Sequence, residues 1–250
     1  MSDRLYIDLL NGVNGGSGVH QWVSSDDEER WKENQKNLQN NIKLKQLGWS
    51  PESFSYRCDS YGFRNDEDIK KDVAYTLFLG CSHTFGIGLP IEDVWTSHVG
   101  KFLRKPTYNA ARAGAGIDSC YRILKFLLNQ SYKFENLFLF SPHPGRVEIW
   151  DEFEQKWMVA AWWTHYSKDI LGFLNHEYFV KINFDKTLDA IENLCAKNNI
   201  NLIHMNTDAC DDIILEDATA RDLMHAGKDA HEKIAYRFID LYNVNRCTHK

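Results

Sequence analysis

Tyr75-Thr76-Leu77-Phe78-Leu79-Gly80-Cys81-Ser82-His83-Thr84-Phe85-Gly86 decides the reading of this chain. It opens with a short apolar run stopped by a glycine, the pattern of a buried strand. A serine two residues past the strand falls at the turn from strand into helix, with an exposed hydroxyl and its own N–H beside it. Ligands of open parallel sheets bind beyond the C-terminal ends of the strands. Ser82 is therefore a candidate nucleophile, with an ordinary helix cap as the plain alternative. The segment is not a GxSxG elbow, because Thr84 stands where the second glycine belongs.

Working outward, the rhythm repeats. Val94, His98, Val99 and Phe102 predict a helix within 91–104, and Tyr108–Ala113 reads as a second, weaker strand. Ile117, Tyr121, Leu124 and Leu128 share one helix face. Leu137–Phe140 is a third strand, stopped by Pro142 and Pro144. Leu188, Ile191 and Cys195 predict a helix before the strand Leu202-Ile203-His204-Met205, and Ala230, Ile234, Phe238 and Leu241 a last one. Strands alternating with helices predict a parallel sheet covered on both faces, a three-layer α/β/α domain over 71–250.

Two regions break the rhythm. Residues 1–70 read as an N-terminal extension: a Gly-rich, loosely ordered arm to about 26, then a surface helix over 27–47 with Trp31, Leu38 and Ile42 as its stripe. Gly48 and Pro51 end that helix, and 53–71 carries turn chemistry. Residues 147–180 form an insertion holding Trp150, Phe153, Trp157, Trp162, Trp163, Tyr166, Phe173, Tyr178 and Phe179. It reads as a lid or partner surface. Flat aromatic faces suit sugars and acyl chains, although plain packing accounts for most such rings. Glu148, Asp151, Glu152 and Glu154 read as a solvated face. Asp208, Asp211, Asp212, Glu216 and Asp217 read as a flexible loop without EF-hand spacing.

Composition narrows the function classes. With 29 basic and 35 acidic residues the net charge is −6, which disfavours nucleic-acid and anionic-membrane binding. No apolar run approaches the ~20 residues of a membrane span, and no secretion signal precedes the domain, so a cytoplasmic protein is expected. The six cysteines form no CxxC pair and are expected as free thiols.

Two further strand ends could carry chemistry. Asn109-Ala110-Ala111-Arg112-Ala113-Gly114-Ala115-Gly116 lets backbone approach a ligand closely, or simply turns. Asp222-Leu223-Met224-His225, followed by Gly227 and His231, places an Asp three residues before a His. That Asp can orient the imidazole as a general base, or the segment can be a polar loop before the last helix.

Together the three blocks resemble the SGNH hydrolases, the GDSL esterase/lipase family, over about 56–145 and 200–240. Gly80–Gly86 looks like the first block, usually G-D-S-x-T-x-G. Asn109–Gly114 looks like the second and Asp222–His225 like the last. Upstream, Asp59-Ser60-Tyr61-Gly62-Phe63-Arg64 is similar to an N-x-x-G-F-R lead-in of many microbial members. The resemblance implies a flavodoxin-like sheet and a serine esterase: Ser82 as nucleophile, His225 as base, Asp222 as its orienter. The Ser82 and Gly114 N–H groups would meet the oxyanion. It implies no cofactor and no metal. The substrate it suggests is a small acyl ester, such as an O-acetylated carbohydrate.

The pattern departs from the family twice. Cys81 replaces the usual Asp of the first block. The third block usually ends G-x-N-D, with an Asn donating to the oxyanion, whereas here Ser141-Pro142-His143-Pro144 follows the strand. His143 falls nearest that Asn and can donate through a ring N–H. Losing one oxyanion donor costs roughly 10²–10³ in rate. A binding or structural protein that kept the fold, and an acyltransferase using the same triad, stay open beside hydrolysis. So do a Cys81 thiol nucleophile and a metal held by His83, His143 and His225.

Overall fold

The structure is a computed structural model that describes residues 16–151, 156–161, 172, 176–214 and 218–248. The calls for aromatic side chains at Phe153, Trp157, Trp162, Trp163, Tyr166 and Phe173, and for Asp151, Glu152, Glu154, Glu216 and Asp217, lie outside the described residues or side chains. Strands β1 (Gly18–His20) and β2 (Tyr56–Cys58) pair antiparallel, with helices α1 (Glu28–Lys36) and α2 (Leu38–Gln46) between them. Then come β3 (Ala74–Gly80), α3 (Ser82–Phe85), α4 (Trp95–Leu103), β4 (Thr107–Asn109), α5 (Ile117–Asn129) and β5 (Lys133–Ser141). A hairpin follows, β6 (Val147–Asp151) with β7 (Lys156–Ala160). The chain continues through α6 (Glu177–Lys197), β8 (Asn201–Asn206), α7 (Asp211–Ile214) and α8 (Lys228–Thr248).

β3, β4, β5 and β8 form one parallel sheet in the order β4-β3-β5-β8. Alternation along the strands feeds two cores, because successive side chains point to opposite faces. Leu77, Leu79, Leu137 and Leu139 pack on one face with Ile123 and Leu127 of α5 and Ile191 and Cys195 of α6. Phe78, Phe138, Phe140 and Ile203 pack on the other with Trp95 and Val99 of α4 and Ile234 and Phe238 of α8. The rings of Trp95 and Phe238 stack at 4.4 Å. The chain steps from β3 outward to β4 and then crosses back to β5, so the strand order reverses between β3 and β5. That reversal is where a ligand crevice forms in such sheets. Among the described residues no helix is long and apolar enough to cross a membrane.

Several elements differ from the sequence reading. The single helix over 27–47 is two, because Asn37 ends α1 and caps α2, its side chain accepting the Asn40 N–H at 3.1 Å. The break rotates the stripe: Trp31 and Leu44 are buried, whereas Leu38 and Ile42 are exposed. β4 stops at Asn109 rather than Ala113, and the following N–H of Arg112 turns to the Gly80 carbonyl. Tyr242 rather than Leu241 completes the buried face of α8. Asp208, Asp211 and Asp212 lie in a 3-10 turn (Thr207–Cys210) and in α7, not in a flexible loop, and Asp212 pairs with Arg237 at 2.8 Å. The described part of the arm is docked on the domain, Asp26 pairing with Arg221 at 2.6 Å. Cys58, Cys81, Cys120, Cys195 and Cys210 are free and buried.

Candidate active site

The turn after β3 is built by hydrogen bonds that Ser82 itself receives or adjoins. Thr84 and Phe85 donate their N–H groups to the Cys81 carbonyl at 3.0 and 2.9 Å. The Gly86 N–H donates to the Ser82 carbonyl at 2.8 Å, and Gly86 closes the turn at φ +83°, a left-handed conformation that favours glycine. Arg64, the last residue of the lead-in segment, is buried beneath this turn. Its guanidinium donates to the carbonyls of Phe85 (3.2 Å), Gly86 (2.5 Å) and Leu89 (2.6 Å). Burial pushes its pKa down to about 10. Asp59, at the start of the same segment, accepts the Tyr61 and Phe63 N–H groups at 3.0 Å and the Tyr108 hydroxyl at 2.7 Å. The lead-in is thus scaffolding for the Ser82 turn.

The loop after β4 lies against the same strand end. The Arg112 N–H donates to the Gly80 carbonyl at 3.2 Å, and Asn109 donates through Nδ2 to the Thr84 carbonyl at 2.8 Å. Gly114 sits at φ +75° in a turn closed by the Ala115 N–H on the Arg112 carbonyl at 3.1 Å. Among the described residues, the N–H groups of Ser82 and Gly114 have no acceptor. Two backbone donors therefore stand ready near the end of β3.

Asp222 and His225 form a bonded pair. His225 Nδ1 lies 2.7 Å from Asp222 Oδ2, and the Met224 and His225 N–H groups donate to Oδ1 at 3.0 Å each. Burial alone would raise the Asp222 carboxyl. The hydrogen bond and charge of His225 and the two amides outweigh it and hold it at about 2. The ring of His225 meets the ring of His83, the residue after Ser82, edge to face at 5.4 Å. The Arg221 N–H donates to the Gly88 carbonyl at 2.8 Å. The sheet end therefore brings the Asp222–His225 pair against His83, the neighbour of Ser82. Among the described residues no hydrogen bond joins Ser82 Oγ to His225, and Ser82 is buried. Bonds of this kind are often long in unliganded sites and tighten with substrate.

Sequence reasoning missed three groups. Arg221 is wholly buried. It pairs with Asp26 at 2.6 Å and stacks over the rings of Phe54 at 4.0 Å and Trp22 at 4.4 Å. Ser25 Oγ donates to Asp222 Oδ2 at 2.9 Å. Glu148 is not on a solvated face. Its side chain is 3% exposed and lies 2.8 Å from Arg112 and 2.5 Å from Arg122, which ties β6 to the loop after β4 and to α5. The signals were present as isolated polar or charged residues within mixed segments, but their partners lie 26 to 197 residues away.

The remaining histidines differ in kind. His231 is buried and accepts the Trp95 N–H at 3.1 Å, so it caps α4. Burial pushes it down to about 3. Burial, then the charge of His225, holds His83 well below its ordinary 6.5. His143 is exposed beyond β5 and accepts the Gly145 N–H through Nδ1 at 3.1 Å, which leaves Nε2 as the protonated nitrogen. The last residue of β5, Ser141, bonds His204 Nε2 at 2.9 Å. Among the described residues no three His, Cys, Asp or Glu side chains are grouped to hold a metal ion. Cys81 is buried, which disfavours it as an attacking thiol.

No family model matches the chain, and no curated protein matches it in sequence.

Proposed function

We propose that this chain is a serine ester hydrolase of SGNH type. The observation that carries the reading is the bond at 2.7 Å between buried Asp222 and half-buried His225, whose ring packs on His83 beside Ser82. Asp222 holds Nδ1 protonated and leaves Nε2 to act as base toward the Ser82 hydroxyl. Ser82 Oγ attacks the ester carbonyl carbon while its proton passes to His225. The tetrahedral oxyanion takes hydrogen bonds from the N–H groups of Ser82 and Gly114, with His143 Nε2 as the third donor. Collapse breaks the C–O bond to the alcohol, which leaves with the proton from His225. Water then attacks the acyl-serine and gives a proton to His225; the bond from the acyl carbon to Ser82 Oγ breaks, Oγ takes that proton back, and the acid leaves.

A small acyl group is the proposed substrate feature, with acetylated carbohydrate as the class to screen first. An alcohol in place of the water turns the same steps into acyl transfer.

A fluorophosphonate probe tests the nucleophile, because it reacts with activated serine hydroxyls. Wild-type protein should be labelled, and Ser82→Ala and His225→Gln should not. Equal labelling of wild type and Ser82→Ala overturns the assignment. A second reading, a binding protein that retains the fold, draws on the missing Ser82–His225 hydrogen bond. It requires that the folded wild-type chain resist the probe altogether.

A further inference from the structure

We propose that Ser25 is a positioning residue for the Asp222–His225 pair, delivered to it by the N-terminal arm. The proposal rests on the reading of that pair as catalytic, and it adds a group that none of the three blocks contains. An ionised carboxylate offers about four acceptor sites. At Asp222 three are taken from within its own loop: the Met224 and His225 N–H groups on Oδ1 and the His225 ring on Oδ2. Ser25 takes the fourth, donating to Oδ2 at 2.9 Å, with its oxygen 3.5 Å from His225 Nδ1. Asp222 is 2% exposed, which leaves little room for solvent to take that place.

The hydroxyl is held there by a small device. Val23 and Asp26 exchange backbone hydrogen bonds at 2.9 and 3.2 Å, so Ser24 and Ser25 form the tip of a tight turn. Ser24 takes the left-handed φ of +57° that this tip requires. The base of the turn is fixed by Asp26, which receives the Arg221 guanidinium and the Tyr56 hydroxyl. The one-residue step from Ser25 to Asp26 thus matches the one-residue step from Asp222 to Arg221. One contact anchors the arm, and the neighbouring one reaches the carboxylate.

Ser25 stands at the Nδ1 side of the imidazole, the end bonded to Asp222. The proton-accepting end is the opposite nitrogen, so Ser25 is no rival nucleophile. With both oxygens of Asp222 occupied, the carboxylate cannot rotate away from Nδ1. The imidazole then stays in the tautomer whose Nε2 can accept a proton. Ser25 carries out this task through Asp222 and touches no reacting atom.

The test compares wild type, Ser25→Ala, Ser25→Thr and Ser82→Ala, each as the full chain. The fluorophosphonate inactivation rate is separated into its saturating rate and its half-saturating probe concentration. The low-field NMR signal of the His225 Nδ1 proton is recorded alongside. Ser25→Ala should lower the saturating rate roughly tenfold, the scale of a hydrogen bond to a charged group. The half-saturating concentration should stay the same. The Nδ1 signal should shift or broaden, and Ser25→Thr, which keeps a hydroxyl, should restore both. If Ser25→Ala matches wild type in rate and signal while Ser82→Ala is unlabelled, the positioning role is wrong and the triad stands. If Ser25→Ala changes both and Ser25→Thr restores neither, bulk packing explains the effect and the role is again wrong. If folded wild type is not labelled at all, the catalytic reading falls and takes this role with it.

Discussion

The N–H of Arg221 donates to the carbonyl of Gly88 at 2.8 Å, joining the loop that follows Ser82 to the loop that carries Asp222. Gly88 has a φ of +75°, and a Cβ placed there would lie 2.8 Å from the Ala220 Cβ, 3.0 Å from the Arg221 nitrogen and 3.3 Å from Asp222 Oδ1. Gly88→Ala should therefore push the two loops apart while the sheet stays folded. Misplacement of a catalytic group by about 1 Å can cost on the order of 10² in rate. Fluorophosphonate labelling should fall toward that extent with the far-ultraviolet circular dichroism unchanged. Full labelling of Gly88→Ala would show that the junction does not set the site.

The buried pair of Asp26 and Arg221 holds the arm in place. Removing one partner of such a pair typically costs about 3–5 kcal/mol, because the other charge stays buried. Asp26→Ala should lower the stability measured by urea unfolding by about that amount. A loss under about 1 kcal/mol, the scale of an exposed pair, would mean that solvent reaches Arg221 readily.

Arg64 uses the fork of a guanidinium to reach three carbonyls around the Ser82 turn. A lysine ammonium cannot match that geometry. Arg64→Lys should cost about 2 kcal/mol, the scale of losing a hydrogen bond from a charged group. The amides of Gly86 and Ile87, both bonded to the Ser82 carbonyl, should exchange hydrogen faster. Unchanged exchange at those two amides would argue that the turn holds without Arg64.

Acid stability should report on the buried histidines. His231 is held near 3 against an ordinary 6.5, and His83 well below 6.5, so both are neutral in the folded chain. The unfolded chain takes up their protons below pH 6.5. Their contribution is thus complete above that pH and falls as pH drops below it; for His231 the fall runs toward pH 3 at about 1.4 kcal/mol per pH unit. Asp222, depressed to about 2 from 3.8, loses its contribution only at lower pH. Asp118, raised to about 6 by burial, runs the other way. The check is therefore a difference. His231→Asn keeps an acceptor for the Trp95 N–H, and its urea midpoint should fall less steeply than that of wild type between pH 6.5 and 4. Parallel curves would show that His231 is protonated in the folded state.

The apolar runs at Leu77–Leu79, Leu137–Phe140 and Leu202–Met205 were legible because a buried parallel strand leaves a continuous local signature. The helix faces of 117–128 and 230–241 were legible for the same local reason, apart from the exchange of Leu241 for Tyr242. What escaped was set by distant partners. Asn37 could have continued a helix, and its capping of Asn40 broke it instead. Glu148 resembles its acidic neighbours until Arg112 and Arg122 close on it. Ser25 is one serine in a polar arm until Asp222 comes within reach. The residues proposed for chemistry were read from short blocks, and the groups that hold them belong to no block.

Asp26 and Arg221 are separated by 195 positions. Closing a loop of that length costs conformational entropy before any contact returns it, so pairings of this kind form late. As the chain emerges from synthesis, the sheet strands β3, β4 and β5 can assemble while Arg221 is still to be made. Until that residue arrives, the arm has no anchor and Asp222 no setting. The site is therefore a record of finished folding: a chain cut short before Arg221 could hold every strand of its sheet and still bring neither Asp222 nor His225 to the Ser82 turn.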